Sequence, residues 1–110
     1  MIIIREFFVA RPGQAGKLAA MLKDVAITVA PGKSRVMTDV TGRFNRVVME
    51  TEAESLAEFE ERMKEYMLNP AWKAKMKGYT DLWTTGGREI LRMGSRKTNP
   101  AHAVDRIDTS

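Results

Sequence analysis

Three observations predict an α+β fold of the ferredoxin-like kind, β-α-β-β-α-(α)-β in order, with a four-stranded antiparallel sheet. First, runs rich in β-branched and aromatic residues alternate with stretches whose apolar residues recur at helical spacing. Second, Pro12-Gly13, Pro31-Gly32, Thr41-Gly42 and Asn69-Pro70 fall between those runs as punctuation, and Gly86-Gly87 opens the last one. Third, the opening run is apolar on both faces, with Ile2, Ile4 and Phe8 on one side and Ile3, Phe7 and Val9 on the other. One helix layer covers one side of a sheet only. The far side then needs a second cover, for which a second copy of the chain in a symmetric dimer is the simplest source.

The elements follow in order. Residues 2–10 form the first strand, and Pro12-Gly13 ends it. From Gln14 to Ala26, the residues Leu18, Met21, Leu22 and Val25 recur at i, i+3, i+4 and i+7, one face of an amphipathic helix. Residues 34–40 and 45–52 flank Thr41-Gly42-Arg43-Phe44 and read as a hairpin. Leu56, Phe59, Met63 and Met67 mark a second helix, with Ser55 or Glu54 near its start and Asn69-Pro70 at its stop. PAWKAKMKGYTDLW is a further helical piece, and REILRM is a closing strand. The domain is residues 1–93. Residues 94–110 are a polar tail, expected to be held by a partner subunit or a crystal contact.

Composition narrows the function classes. A chain of 110 residues with 44% hydrophobic content makes one small domain, which oligomerisation would help to stabilise. No apolar run reaches a membrane span, and Met1–Ile4 meets Arg5 too soon for a signal peptide. With no cysteine there is no disulfide, thiol catalysis or thiolate metal site, and a cytoplasmic location is expected. The net charge is +4 and the pI about 9.6. Yet the basic residues are scattered, and Lys73, Lys75 and Lys77 spread around their helix rather than forming one stripe. A solvated surface, not a nucleic-acid site, is the expectation. The single histidine, His102, lies in the tail, and the carboxylates show no ligand spacing, so neither metal nor cofactor is expected.

Three stretches together resemble the NIPSNAP-like family of the dimeric α+β barrel superfamily, over about residues 2–93. IIIREFFVARPG is similar to the family's opening strand, with Ile4, Arg5, Phe7 and Pro12-Gly13 matching. GRFNRVVMETEAESLAEFEER is similar to its hairpin leading into a helix, through Gly42, Asn45, Val47, Val48 and Leu56. NPAWKAKM and REILR match its Asn-Pro-x-Trp helix and closing strand, through Asn69, Pro70, Trp72, Arg88, Leu91 and Arg92. Met49, Thr51 and Ala53 stand where the family often has His, Trp and Tyr. The resemblance implies two ferredoxin-like units facing sheet to sheet with helices outside. The wider superfamily includes cofactor-independent monooxygenases, haem-degrading enzymes and isomerases, so the fold does not choose a reaction.

Adjacent Arg5 and Glu6 point to opposite faces of the first strand, and parity alone leaves open which one faces the inter-sheet space. The family match favours Arg5. Two readings follow. In one, each charge is a structural ion pair with a neighbouring strand residue such as Glu50 or Arg88. In the other, Arg5 orients the anionic group of a small apolar or aromatic acid, with Asn45 and Arg88 as further polar contacts. A homodimeric small-molecule-binding protein, with a cofactor-independent monooxygenase as its enzymatic version, is the leading functional reading. A non-catalytic structural or partner-binding dimer is the alternative. Arg35 and Asp39 share a face, as do Glu50 and Glu52, which could serve acid–base work or simply be wet edge charges. Tyr66, Trp72, Tyr79 and Trp83 would cap a pocket mouth or pack a core, and the eight methionines suit an adaptable interior.

Overall fold

The structure, a computed structural model, describes residues 1–42 and 44–94. Arg43, the tail from residue 95 onward and His102 within it lie outside the described residues. The elements are β1 (Ile2–Ala10), α1 (Ala15–Val29), β2 (Ser34–Thr38), β3 (Arg46–Ala53), α2 (Leu56–Met67), α3 (Pro70–Lys75) and β4 (Trp83–Arg92), with a single 3-10 turn at Tyr79–Leu82 before β4. The sheet order is β2-β3-β1-β4 and every neighbour is antiparallel. This is the ferredoxin-like α+β arrangement that the element order predicts.

The helices cover one face of the sheet. Leu18, Leu22, Val25 and Ala26 of α1 pack on Phe8 and Ala10 of β1 and on Val47 and Met49 of β3. A smaller cluster joins Ile4 and Ala53 to Phe59 of α2. Leu18, Leu22, Ile4 and Val47 are the large side chains sealed most completely, so truncating one to alanine would cost about 2–5 kcal/mol. Ser55 caps α2 by accepting the Glu58 backbone N–H at 3.1 Å, while the Glu58 carboxylate accepts the Glu54 N–H. Asn69 ends α2 and caps α3, accepting from the Ala71 N–H at 2.9 Å, with Pro70 in the first turn. The residues set α3 apart from the turn that follows: Gly78, at φ 81°, breaks the helical piece that its apolar pattern suggested as continuous.

β4 is longer than expected. Gly86-Gly87 does not open it but lies in its middle, opposite Phe8 and Phe7 of β1. The reason is steric. A Cβ at Gly86 would come within 2.8 Å of the Phe7 carbonyl oxygen, and one at Gly87 within 2.8 Å of the Phe7 ring. The glycines leave room for two adjacent aromatic residues on the central strand, and a rule that treats paired glycines as a boundary misses this use. Gly86→Ala is therefore expected to destabilise by about 1–3 kcal/mol. Gly87→Ala should cost less, because a ring tip can swing aside and a backbone carbonyl cannot. Urea unfolding of the two variants checks the order.

Candidate functional site

Strand register sorts the charges onto two faces. Opposite the helices, Glu89 of β4, Arg5 of β1, Glu50 of β3 and Arg35 of β2 stand in one row across the whole sheet, each opposite the next. Arg5 Nη1 meets Glu89 at 3.2 Å and Arg5 Nη2 meets Glu50 at 2.7 Å. Arg35 Nη2 meets the other Glu50 oxygen at 2.6 Å, and its Nη1 reaches Glu52 at 3.8 Å. Glu50 is only 8% exposed although, among the described residues, no helix lies on this face. What shields it is the pair of guanidinium groups that clasp it from both sides. Burial pushes its carboxyl up, but the hydrogen bonds from Arg5 and Arg35 outweigh burial and hold it below the usual value. The hydrogen bond to Glu50 raises Arg5 in turn. Around the row lie Ile3, Phe7, Met37, Val48 and Leu91, with Glu52 and Arg46 of β3 on the same side, so this open face is largely apolar with a charged stripe through it.

On the other face, Glu6 accepts from Arg88 Nη2 at 2.6 Å and from its Nε at 3.1 Å. The Arg88 guanidinium also lies over the Phe59 ring, 5.5 Å from its centroid. Beside this pair is a cavity of about 140 Å³ between sheet and helices. Its walls are mostly apolar and adaptable: Phe8, Leu22 and Phe59 with Met49, Met63 and Met76, and Trp72 and Tyr79 toward the α3 side, with Thr51 as a buried hydroxyl among them. Among the described residues, Glu6 is the only carboxylate in the lining. Burial, then the Glu6 charge, push the Tyr79 hydroxyl up to about 12, with Arg88 opposing. Tyr79 therefore stays protonated at neutral pH, a donor set in an apolar wall.

The residues expected to form one ligand site are not brought together. Arg5 is on the open face with its donors engaged by two glutamates, and Arg88 is on the helix face, paired with Glu6. Asn45 lies in the β2–β3 connection. Its φ is 63°, a left-handed conformation that asparagine tolerates, and its carbonyl accepts the Ala10 N–H at 2.7 Å. Both structural ion pairs open to the sequence, Arg5 with Glu50 and Glu6 with Arg88, are present. Glu50 and Glu52 are both held by Arg35. A carboxyl lowered as Glu50 is makes a poor proton donor near pH 7. The aromatic residues do both things expected of them. Trp72 and Tyr79 line the cavity, while Tyr79 and Trp83 pack on Phe8 and Tyr66 packs on Trp72. Sequence reasoning missed Glu89 and the Tyr79 hydroxyl as polar members of these two faces. The i, i+2 parity of Glu89 with Leu91 was the available signal, but only the β1–β4 register, set over a long separation, joins it to Arg5. Among the described residues, no group of three or more His, Asp or Glu is placed to hold a metal ion, and no helix is long and apolar enough to cross a membrane.

No protein-family model matches the chain, and no curated protein is significantly similar to it in sequence. Solved structures are similar in fold. An uncharacterised NIPSNAP domain protein from Burkholderia xenovorans superposes with a TM-score of 0.73 at 13% identity, covering 90% of this chain and 100% of its own. A NIPSNAP family protein of unknown function from Agrobacterium tumefaciens gives 0.74 at 17%, covering 91% of this chain and 92% of its own. SnoaB, a cofactor-independent oxygenase from Streptomyces nogalater, gives 0.63 at 14%, covering 90% and 96%. The resemblance to NIPSNAP-like proteins thus holds at the level of the fold.

The charge row has a defined pH signature. The folded pKa of Glu50 lies below its unfolded value of about 4.3, so its stabilisation is complete above that pH and is lost as pH falls through the folded value. Glu50→Gln should lower stability by about 1–2 kcal/mol near neutrality. The gap between wild type and variant should stay flat from about pH 6 to 8 and narrow only as pH falls below the unfolded value and through the folded one. Urea midpoints measured against pH for both proteins test this.

Proposed function

We propose that the protein is a cytoplasmic homodimer that binds one small apolar or aromatic molecule per subunit in the cavity between sheet and helices. The observation that carries the binding half is that cavity of about 140 Å³, lined mainly by apolar side chains, with Glu6, Tyr79 and Thr51, whose hydroxyl is already paired with that of Ser34, as its polar members. Cavities of about this size accept a benzene-sized molecule. Glu6 disfavours a carboxylate at the polar end, and a protonated Tyr79 beside a carboxylate suits a hydroxyl, which can accept from one and donate to the other. The ligand class therefore shifts from the acid expected with Arg5 to a phenol- or alcohol-like compound. The dimer half is supported by the open face, whose apolar residues flank charges that already satisfy one another. With Arg5 paired within the chain, that face suits contact rather than ligand capture, as in the structural alternative.

The similar fold of a cofactor-independent oxygenase supports an enzymatic version. There Glu6 would take the proton of a ligand hydroxyl and Tyr79 would hydrogen-bond the oxyanion so formed, in a pocket that excludes water. Binding comes first. Saturation-transfer NMR with phenol should show contact with the protein, and benzoate at the same concentration should show little. Met63→Trp, which fills the cavity from α2, should abolish the phenol signal, and Tyr79→Phe should weaken phenol binding about 5- to 10-fold. Absence of transfer from phenol, or transfer unchanged in Met63→Trp, counts against the cavity as the site.

A further inference from the structure

We infer that the charge row on the open face selects the geometry of the dimer, through a two-fold axis parallel to the strands and over the gap between β1 and β3. This rests on the homodimer proposed above and names how its partner is recognised. The row alternates in sign strand by strand: Glu89 negative on β4, Arg5 positive on β1, Glu50 negative on β3, Arg35 positive on β2. It is antisymmetric about the midline of the sheet. When two such sheets meet face to face, a two-fold along the strands sets β4 against β2 and β1 against β3. Arg5 then faces Glu50 of the partner subunit, and Glu89 faces Arg35 of the partner subunit. Rotation about that axis leaves position along the strands unchanged, so row meets row without any adjustment of register. A two-fold along the row does the opposite and sets every charge against its own copy.

The apolar residues beside the row, Ile3, Phe7, Met37, Val48 and Leu91, supply the attraction and cannot by themselves choose between the two axes. The charges can. Each is already paired within its own chain, so the facing rows add little affinity, but like charges placed across an interface are excluded strongly. Aligned sheets pack at about 30° to one another, which displaces the outer strands more than the inner ones. The central pair, Arg5 with Glu50 of the partner subunit, therefore carries most of the choice.

Inverting the row tests this. A chain carrying Glu89→Arg, Arg5→Glu, Glu50→Arg and Arg35→Glu, with Glu52→Gln to remove a new like-charge contact, keeps all three ion pairs with signs exchanged. It remains antisymmetric and should dimerise with itself. Against the wild-type chain, every facing charge becomes like. The two chains are unfolded together in urea, refolded at equal concentration and weighed by native mass spectrometry. The expected result is two homodimers, with the mixed dimer below about a tenth of the total against a statistical half. A mixed dimer at one half overturns the proposal, because the rows then do not face one another. An excess of mixed dimer also overturns it, because the two-fold then runs along the row. Should the full inversion not fold, Arg5→Glu with Glu50→Arg, and with Glu89→Gln and Arg35→Gln to remove the like-charge contacts these would create, keeps the central pair and carries the same expectation. A wild-type chain that is monomeric on its own defeats the dimer itself, a failure distinct from any mixing pattern.

Discussion

Glu50 sits at the centre of a sheet face that no helix among the described residues covers, gripped by an arginine from each neighbouring strand. That clasp depends on register. A slip of one residue would send Glu50 toward the helices and Met49 toward the open face, and both arginines would lose their shared acceptor. Adjacent Arg5 and Glu6 lock the same strand from both sides, Arg5 into the open-face row and Glu6 to Arg88 beneath the helices. β1 is thereby pinned by ionic contacts on each face as well as by the burial of Ile4 and Phe8.

This division of charge gives the two faces different chemistry. On the open face every charge of the row has a partner, and the surrounding surface is apolar, which suits broad contact with another sheet. On the helix face, one ion pair borders a small cavity whose wall is mostly methionine and aromatic ring. A paired but accessible carboxylate next to a protonated phenol is a selective polar feature in an otherwise unselective apolar space. The charges that link the strands across the open face and the pair that borders the cavity are thus segregated by the two-residue period of a strand.

Much of the fold was legible in local pattern. Residues 2–10 emerge as β1 because the run is β-branched and ends at Pro12-Gly13, and α2 emerges because Phe59, Met63 and Met67 share a face behind the Ser55 cap. The glycines of β4 were misleading because their reason, the rings of Phe7 and Phe8, lies on another strand. The site was less legible for a related cause. Parity showed that Arg5 and Glu6 diverge, but not which one meets the helices. That depends on where α1 and α2 pack, which no short stretch encodes. Asn45 matched the family motif, yet its left-handed backbone accounts for an asparagine there without any ligand. Tyr79 could be assigned to packing from its neighbours alone, and only its burial beside Glu6 gives its hydroxyl a role.

Coverage of the open face can be read directly by hydroxyl-radical footprinting of the wild-type chain across a dilution series. Met37 and Leu91 of the open face and Met67 of α2 are all substantially exposed in a single chain. With two sheets face to face, oxidation of Met37 and Leu91 should fall as concentration rises while Met67 stays constant. If all three oxidise at rates that follow their single-chain exposure at every concentration, the open face is free in solution and the sheet-to-sheet dimer is contradicted.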